Sequence, residues 1–521
     1  MDVKGTFARN RKALAGTAKD GAQELSWAAR KGHEKAVKTM LKRDDISPDT
    51  PDTKFGRTPL SWAAGGGHRR IVVLLLQRRD INPNFRDKKS GRTPLLWAVK
   101  GGHYGVVEVL LQRQSVNPNI AEKKYGRTPL LWAVENADEG IIELLLERED
   151  INPNVAGTQD GNTPLSLAIW YGHRRAVKLL LGREDVDPNT VGTEYGETPL
   201  WLAVTTAHKD IVKLLLKRKD IDPNRTDNLG KTPLSQAVGF GYEGVVKSLL
   251  GREDVNPNAV GTCHCAQPLW SAIDGGHRGV VKLLLKRKDI DPNAIDHWSL
   301  QTPLSLAAQN GDEGIVRLLL AREDIDPNTT GIGNSETPLD YAAEKGHVGV
   351  VKLLLGREDI NRTAPGPLPS SGDKPLLLAA RGGHERVVKL LLEDHDIRGN
   401  THLQGTTYRR ALEKAVRYGR DAVVELLFER VQGIHSTADP EPDKTLLSWA
   451  AENGHEEVVK LLLERHATDP NAADGRFRQW PLFLAMKNGY EGVVKLLLER
   501  DDAGPNIVSS AIRHVEVRPP T

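Results

Sequence analysis

Only two cysteines occur in 521 residues, which excludes a disulfide framework and suits a reducing compartment. A charge of one sign is also lacking. The net charge is +3, so nothing in the total draws the chain to nucleic acid or anionic lipid. Apolar runs such as Ile71–Leu76 fall far short of the roughly 20 residues that a membrane-spanning helix needs, and Met1–Lys19 has no apolar signal-like segment. No Gly-x-x-x-x-Gly-Lys-Ser/Thr phosphate loop occurs, the Gly-Gly-His turns follow helices, and no nucleophile–base signature is present. The expectation is an intracellular, cytoplasmic chain with the nucleus as the alternative, carrying no cofactor and no catalytic centre.

What the chain has in abundance is repetition. Thr58–Leu76 (TPLSWAAGGGHRRIVVLLL) keeps returning: Leu60 is matched by Leu95, Leu130, Leu165 and Leu200, each 35 residues after the last. The series runs on through Leu234, Leu269, Leu304, Leu339, Leu376, Leu412, Leu447 and Leu482 and is preceded by Leu25, giving fourteen copies. Self-similarity at a fixed period signals a stacked array, in which each unit touches only its neighbours.

Within one copy, Thr58 is suited to cap a helix and Pro59 to occupy its first position. Leu60, Ala63 and Ala64 form a small apolar stripe, and Gly65–Gly67 ends the helix. Ile71, Val72, Leu74 and Leu75 predict a second helix from about Arg69 to Arg78. The recurring Asp-Ile-Asn-Pro-Asn, as at Asp80–Asn84, then breaks the helix, and a polar tip such as Asp87–Gly91 turns into the next Thr-Pro-Leu. Each copy is therefore a helical hairpin whose apolar face is buried by stacking, at about 25 cal/mol per Å2.

The order Gly, Thr-Pro-Leu, Ala-Ala, Gly-His, Val-Val, Leu-Leu-Leu resembles the ankyrin repeat over roughly residues 21–500. The resemblance implies an all-α solenoid of helix–turn–helix hairpins with finger-like β-turn loops and a curved concave face. Departures are consistent: the period is mostly 35 where the family has about 33. The extra residues lie around Asn-Pro-Asn and in the finger. The family's His after Thr-Pro-Leu is replaced by Ser61, Leu96, Leu131, Ser166 or Trp201. The Ser-Trp-Ala-Ala form at Ser61–Ala64 and Ser448–Ala451 is similar to ankyrin arrays of filamentous fungi, often attached to nucleotide-binding receptor domains.

The expected organisation is a lead-in over 1–20, regular repeats one to ten over 21–361, irregular repeats eleven and twelve with long loops over 362–444, repeats thirteen and fourteen over 445–502, and a tail over 503–521. One continuous solenoid is expected, with its weak point near 361–444, where sequence drift is preferred to a hinge.

Three shared features are assigned to the scaffold. Trp27, Trp62, Trp97, Trp132 and Trp449 share one register, which predicts packing between helices. The Gly-His column (His33, His68, His103, His173, His277, His347, His384 and His455) cannot share a metal. Neighbouring copies lie roughly 8–10 Å apart, whereas zinc–nitrogen bonds are about 2.0 Å; the resemblance assigns these histidines to hydrogen bonds between loops. Cys263-His264-Cys265 has no second ligand pair, so no metal site is expected.

Partner specificity is sought instead where copies differ. Fingers two to four are basic: Lys54 and Arg57, then Lys88, Lys89 and Arg92, then Lys123, Lys124 and Arg127. Lys31 and Lys100 stand at first-helix ends, on what the resemblance makes the same concave side. Repeats five and six switch to Asp160, Asn162, Glu194 and Glu197. Trp170 and Tyr171 fill a slot held elsewhere by small or charged residues, with Phe240 in the same slot two repeats on, and exposed aromatics are good anchors. The expected function is a non-enzymatic, monomeric scaffold binding a protein or peptide, of acidic character, on its concave face. The alternatives are a pocket for a small molecule or substrate near Trp170, Tyr171 and Phe240, or a nucleic-acid or anionic-surface binder using the basic fingers.

Overall fold

The computed structural model describes residues 18–158, 161–192, 195–259, 267–296, 299–331, 336–361, 374–394, 401–431, 445–465 and 480–499. The lead-in up to residue 17, Cys263-His264-Cys265, Asp160, Glu194 and the tail lie outside these. Of the irregular stretch 362–444, the helices Lys374–Gly382, Glu385–Glu393, Thr401–Arg417 and Asp421–Val431 are described, and 362–373, 395–400 and 432–444 lie outside. The described residues form twenty-eight helices and no strand. The helices follow one another in pairs, from Ala18–Lys31 with Glu34–Met40 to Pro481–Asn488 with Glu491–Leu498. Two compact units divide them, Met1–Pro268 with repeats one to seven and Leu269–Thr521 with the rest.

The second repeat shows how sequence makes the hairpin. Thr58 accepts a hydrogen bond from the Ser61 backbone N–H, and Pro59 opens the helix Pro59–Gly65. Thr93, Thr128, Thr163 and Thr198 cap the next four repeats in the same way. Gly67 turns the chain at φ 73°, in the left-handed region that glycine enters without penalty. A Cβ there would also sit 2.8 Å from His103 Nδ1, so the turn and the close approach of the next repeat both require glycine. The second helix runs Arg69–Leu76, somewhat shorter than the periodicity predicts.

Within each unit, first helices pack on first helices and second on second. Leu60, Leu95, Leu130, Leu165 and Leu200 are buried, as are Ala63, Ala64, Ile71, Val72 and Leu75. The small Ala63, matched by Ala98, Ala133, Ala168 and Ala203, lets neighbouring hairpins approach closely.

Polar ladders join the repeats as well. His103 Nε2 donates to the Gly65 carbonyl at 3.1 Å, His68 to Arg30 at 3.2 Å and His347 to Gln309 at 2.9 Å, so the histidine column does bind loop to loop. The Asn-Pro-Asn insertion forms a second ladder. Asn119 Nδ2 donates to the Asp150 carbonyl at 2.7 Å, and its Oδ1 accepts from Asn152 N at 2.8 Å; Asn154 repeats this towards Asp185 and Asp187. The residues that lengthen the period thus stitch each repeat to the next.

The sequence reading missed a third ladder, built on Arg-x-Asp. Arg148 holds Asp150 with two hydrogen bonds, at 2.8 and 2.7 Å, and reaches back to the carbonyls of Leu111 at 2.7 Å and Arg113 at 3.1 Å. Arg183 with Asp185 and Arg218 with Asp220 do the same. Each guanidinium therefore satisfies carbonyls left open where the preceding second helix ends, and its planar fork suits that geometry.

Candidate protein-binding face

In the first unit, the fingers and the ends of the first helices form the face where the repeats differ most. The fingers of repeats two, three and seven are closed around the carboxylates of Asp52, Asp87 and Asp227. Asp87 N donates to the Arg92 carbonyl at 3.0 Å, while the Asp87 carboxylate accepts from Ser90 N at 2.7 Å and Arg92 N at 3.1 Å. Adjacent fingertips also bond, as Lys123 N to the Ser90 carbonyl at 2.9 Å. Lys54, Lys88, Lys89, Lys123 and Lys124 are exposed on these tips. The stem of Lys88 lies across Gly56 and that of Lys123 across Gly91, so each of these lysines rests on the finger of the preceding repeat.

The finger arginines behave differently. Arg57 lies over the Trp62 ring at 4.4 Å and over Trp97 at 3.2 Å. Arg92 lies between Trp97 at 4.8 Å and Trp132 at 5.4 Å, and Arg127 lies over Trp132 at 5.4 Å. Arg30 and Lys100 add cations over Trp62 and Trp132, at 4.4 and 4.7 Å. The result is an alternating ladder of cations and indoles, an arrangement stabilised by attraction of the cation to the ring face.

This placement corrects the reading of the tryptophan column as packing between helices. Trp62, Trp97, Trp132 and Trp449 are only half-buried, and Trp27 is 47% exposed. The N–H groups of Trp62 and Trp97 turn to the fingers, to Asp52 at 2.9 Å and to Asp87 at 3.1 Å. Arg92 pairs with Glu122 at 2.5 Å and Arg127 with Glu135. Burial pulls Arg57 down to about 10, with Arg92 and Arg30 adding repulsion against the pull of Asp87 and Asp52. Lys100 is lowered by burial and by Arg92.

The face changes character after repeat four. Trp170 and Tyr171 are 57% and 48% exposed and Phe240 is 51% exposed. Tyr171 stacks on His173 and Phe240 on Tyr242, at 5.5 and 5.3 Å, which presents the ring faces from a fixed base. Asn162 turns inward, accepting from Ser166 Oγ at 3.2 Å, and Glu197 is half-buried.

Seven overlapping segments, 25–122, 114–191, 184–260, 222–296, 269–364, 361–438 and 415–509, match the family described as ankyrin repeats in three copies. The chain belongs to the ankyrin-repeat family. Ankyrin repeats are protein–protein interaction modules, in general non-enzymatic scaffolds that bind protein partners. The solved ankyrin repeat domain of Bcl-3, described as a unique member of the IκB protein family, is 27% identical over 44% of this chain and 98% of its own, with a TM-score of 0.38. No curated protein matches this ankyrin chain. Among the described residues no helix is long and apolar enough to cross a membrane, and no group of three or more His, Cys, Asp or Glu could hold a metal ion.

Two residues of this ankyrin face escaped the sequence reading. Tyr195 and Leu229, on the fingers of repeats six and seven, are 64% and 55% exposed. The signal was present: Phe55, Tyr125 and Tyr195 share one finger register, two repeats apart.

Proposed function

We propose that this ankyrin array is a non-enzymatic, monomeric scaffold that binds a partner protein or peptide along its concave face. The contact region is the fingers and first-helix ends of repeats two to seven. The observation that carries this reading is the exposed sequence of five fingertip lysines followed by Trp170, Tyr171 and Phe240. The lysines favour an acidic stretch of partner through electrostatic complementarity, and the rings offer apolar anchors of the kind that dominate interface energies. The stacked ladders hold the surface in place before binding, so ordering falls mainly on the partner. Few cysteines and no membrane-spanning helix among the described residues support a cytoplasmic location.

Reversing Lys88, Lys89, Lys123 and Lys124 to Glu should weaken capture of the partner by roughly tenfold or more. The melting temperature should stay close to wild type, because exposed surface changes away from buried features are nearly neutral. Affinity capture with mass spectrometry, followed by titration of the recovered partner against both proteins, checks it. Unaltered binding would sink the basic-finger reading. A steep loss of affinity with salt, in proportion to phosphates contacted, would instead favour nucleic acid.

A further inference from the structure

The three finger arginines of the ladder are not alike. Stacking occupies the faces of the finger guanidiniums, so their N–H donors point outward in the plane and need acceptors at the edge. Arg92 finds Glu122, and Arg127 finds Glu135. Among the described residues no carboxylate pairs with the Arg57 guanidinium, although Arg57 is half-buried and held at 4.4 and 3.2 Å from two indoles.

Both routes that neutralise its neighbours are closed at repeat two. Asp87 stands in the register of Glu122 but is one methylene shorter. Its carboxylate is already held by Ser90 N, Ser90 Oγ, Arg92 N and Trp97 Nε1, at 2.7, 2.7, 3.1 and 3.1 Å. In the register of Glu135, the last residue of the first helix, stands Gly65, which has no side chain. In the same register Arg30 and Lys100 cover the indole of the following repeat. Gly65 sends no side chain over the Trp97 ring, which Arg57 covers instead at 3.2 Å, and a Cβ there would lie 3.4 Å from Trp97 Cβ.

We propose that the space over Gly65, beside the edge of Arg57, is a receptor for a carboxylate, the side chain of a Glu or Asp in an extended partner segment. It rests on the reading that the finger face is the contact region. The chain supplies its own precedent: Glu135, rising from the same register, places a carboxylate on Arg127. An unpaired guanidinium in a half-buried setting is poorly solvated, and a bidentate carboxylate matches its fork. Asp52 and Asp87 lie close enough to act on Arg57. They disfavour a doubly charged phosphate and tolerate a single carboxylate better. Exposed Lys88 and Lys89 on the neighbouring finger draw acidic chain towards that space.

A fluorescein-labelled hexaglutamate peptide, titrated by anisotropy at low salt into the full chain, tests this. Hexaglutamine and hexaphosphoserine peptides serve as comparisons. Gly65→Glu fills the space from within, and it should lower hexaglutamate affinity at least tenfold and raise the melting temperature. Gln309→Glu adds the same charge in the same register of repeat nine, outside the contact region, keeps the oxygen that accepts from Gln301, and should change affinity less than twofold. Glu135→Gly removes the carboxylate that pairs with Arg127 and should strengthen binding severalfold. Equal effects of Gly65→Glu and Gln309→Glu, or weaker binding with Glu135→Gly, would overturn the receptor. Tighter binding of hexaphosphoserine with the same Gly65→Glu sensitivity would overturn its assignment to carboxylate. The partner-capture result with the four-lysine reversal stands apart, so failure of the wider face and failure of this receptor are distinguishable.

Discussion

Leu130→Ala should lower stability by about 2–5 kcal/mol, the range for truncating a large core residue and leaving a cavity. Leu130 is fully buried in the first helix of repeat four, Pro129–Glu135, in line with Leu95 and Leu165. First helices of adjacent repeats pack directly on one another, so the cavity opens in two interfaces at once. In an array, stability is close to a sum of repeat and interface contributions, and loosening two central interfaces therefore acts on the whole first unit. Urea unfolding of the full chain, read with amide exchange of the helices Pro94–Lys100, Pro129–Glu135 and Pro164–Trp170, measures it. A loss under about 1 kcal/mol would mean that the leucine column is not the core.

Arg148→Ala should cost about 2–4 kcal/mol, because it leaves carbonyls at the end of the preceding repeat without their charged donor. The Arg148 side chain is only 16% exposed, and it reaches Leu111, Arg113 and Val116 as well as Asp150. Arg148→Lys should not restore the loss, since a single ammonium cannot serve the carbonyls and both carboxylate oxygens. The same variant has a pH signature. The hydrogen bond from Arg148 holds the Asp150 carboxyl below its usual value. Stability from the pair is then fully present above the ordinary Asp pKa of about 3.9 and is lost as pH falls through the lower folded value. Wild type should lose more of its melting temperature between pH 5 and 3 than Arg148→Ala does. Equal losses in both would show that the Arg148–Asp150 pair adds nothing.

The hairpin itself was legible because its signals are local. Thr58 and Pro59 start a helix by backbone chemistry alone, Gly67 permits the turn, and Leu60 returns at a period of mostly 35 residues. The family resemblance gave the histidine column its role, and the hydrogen bond from His103 to Gly65 bears it out. Depth was harder to read. A shared register shows that Trp62, Trp97 and Trp132 meet the same surroundings, but not how far inside they lie. The indoles of Trp62 and Trp97 stop half-buried where the finger reaches them, with Asp52 and Asp87 taking their N–H groups.

The same contact kept the roles of the finger arginines out of sight. Arg57, Arg92 and Arg127 read as free cations alongside the lysines, and they instead lie over indoles. The pairing left a trace in the sequence. Arg and Trp stand five apart at 57 and 62, 92 and 97, and 127 and 132, and both vanish together at Asn162 and Leu167 and at Glu197 and Leu202. The Arg-x-Asp ladder was equally regular, but its carbonyl partners lie about one repeat back in the chain, and backbone groups carry no sequence signature.

The most direct measurement of the finger face as the binding surface is amide exchange of the full chain with and without its captured partner. Slowed exchange is expected at Lys88–Arg92, at Lys123–Arg127 and at the first-helix ends around Trp170 and Phe240. The second helices Arg69–Leu76 and Tyr104–Leu111 should exchange as before. Protection confined to those second helices, with the fingers unchanged, would place the partner on the opposite side and contradict the proposed function.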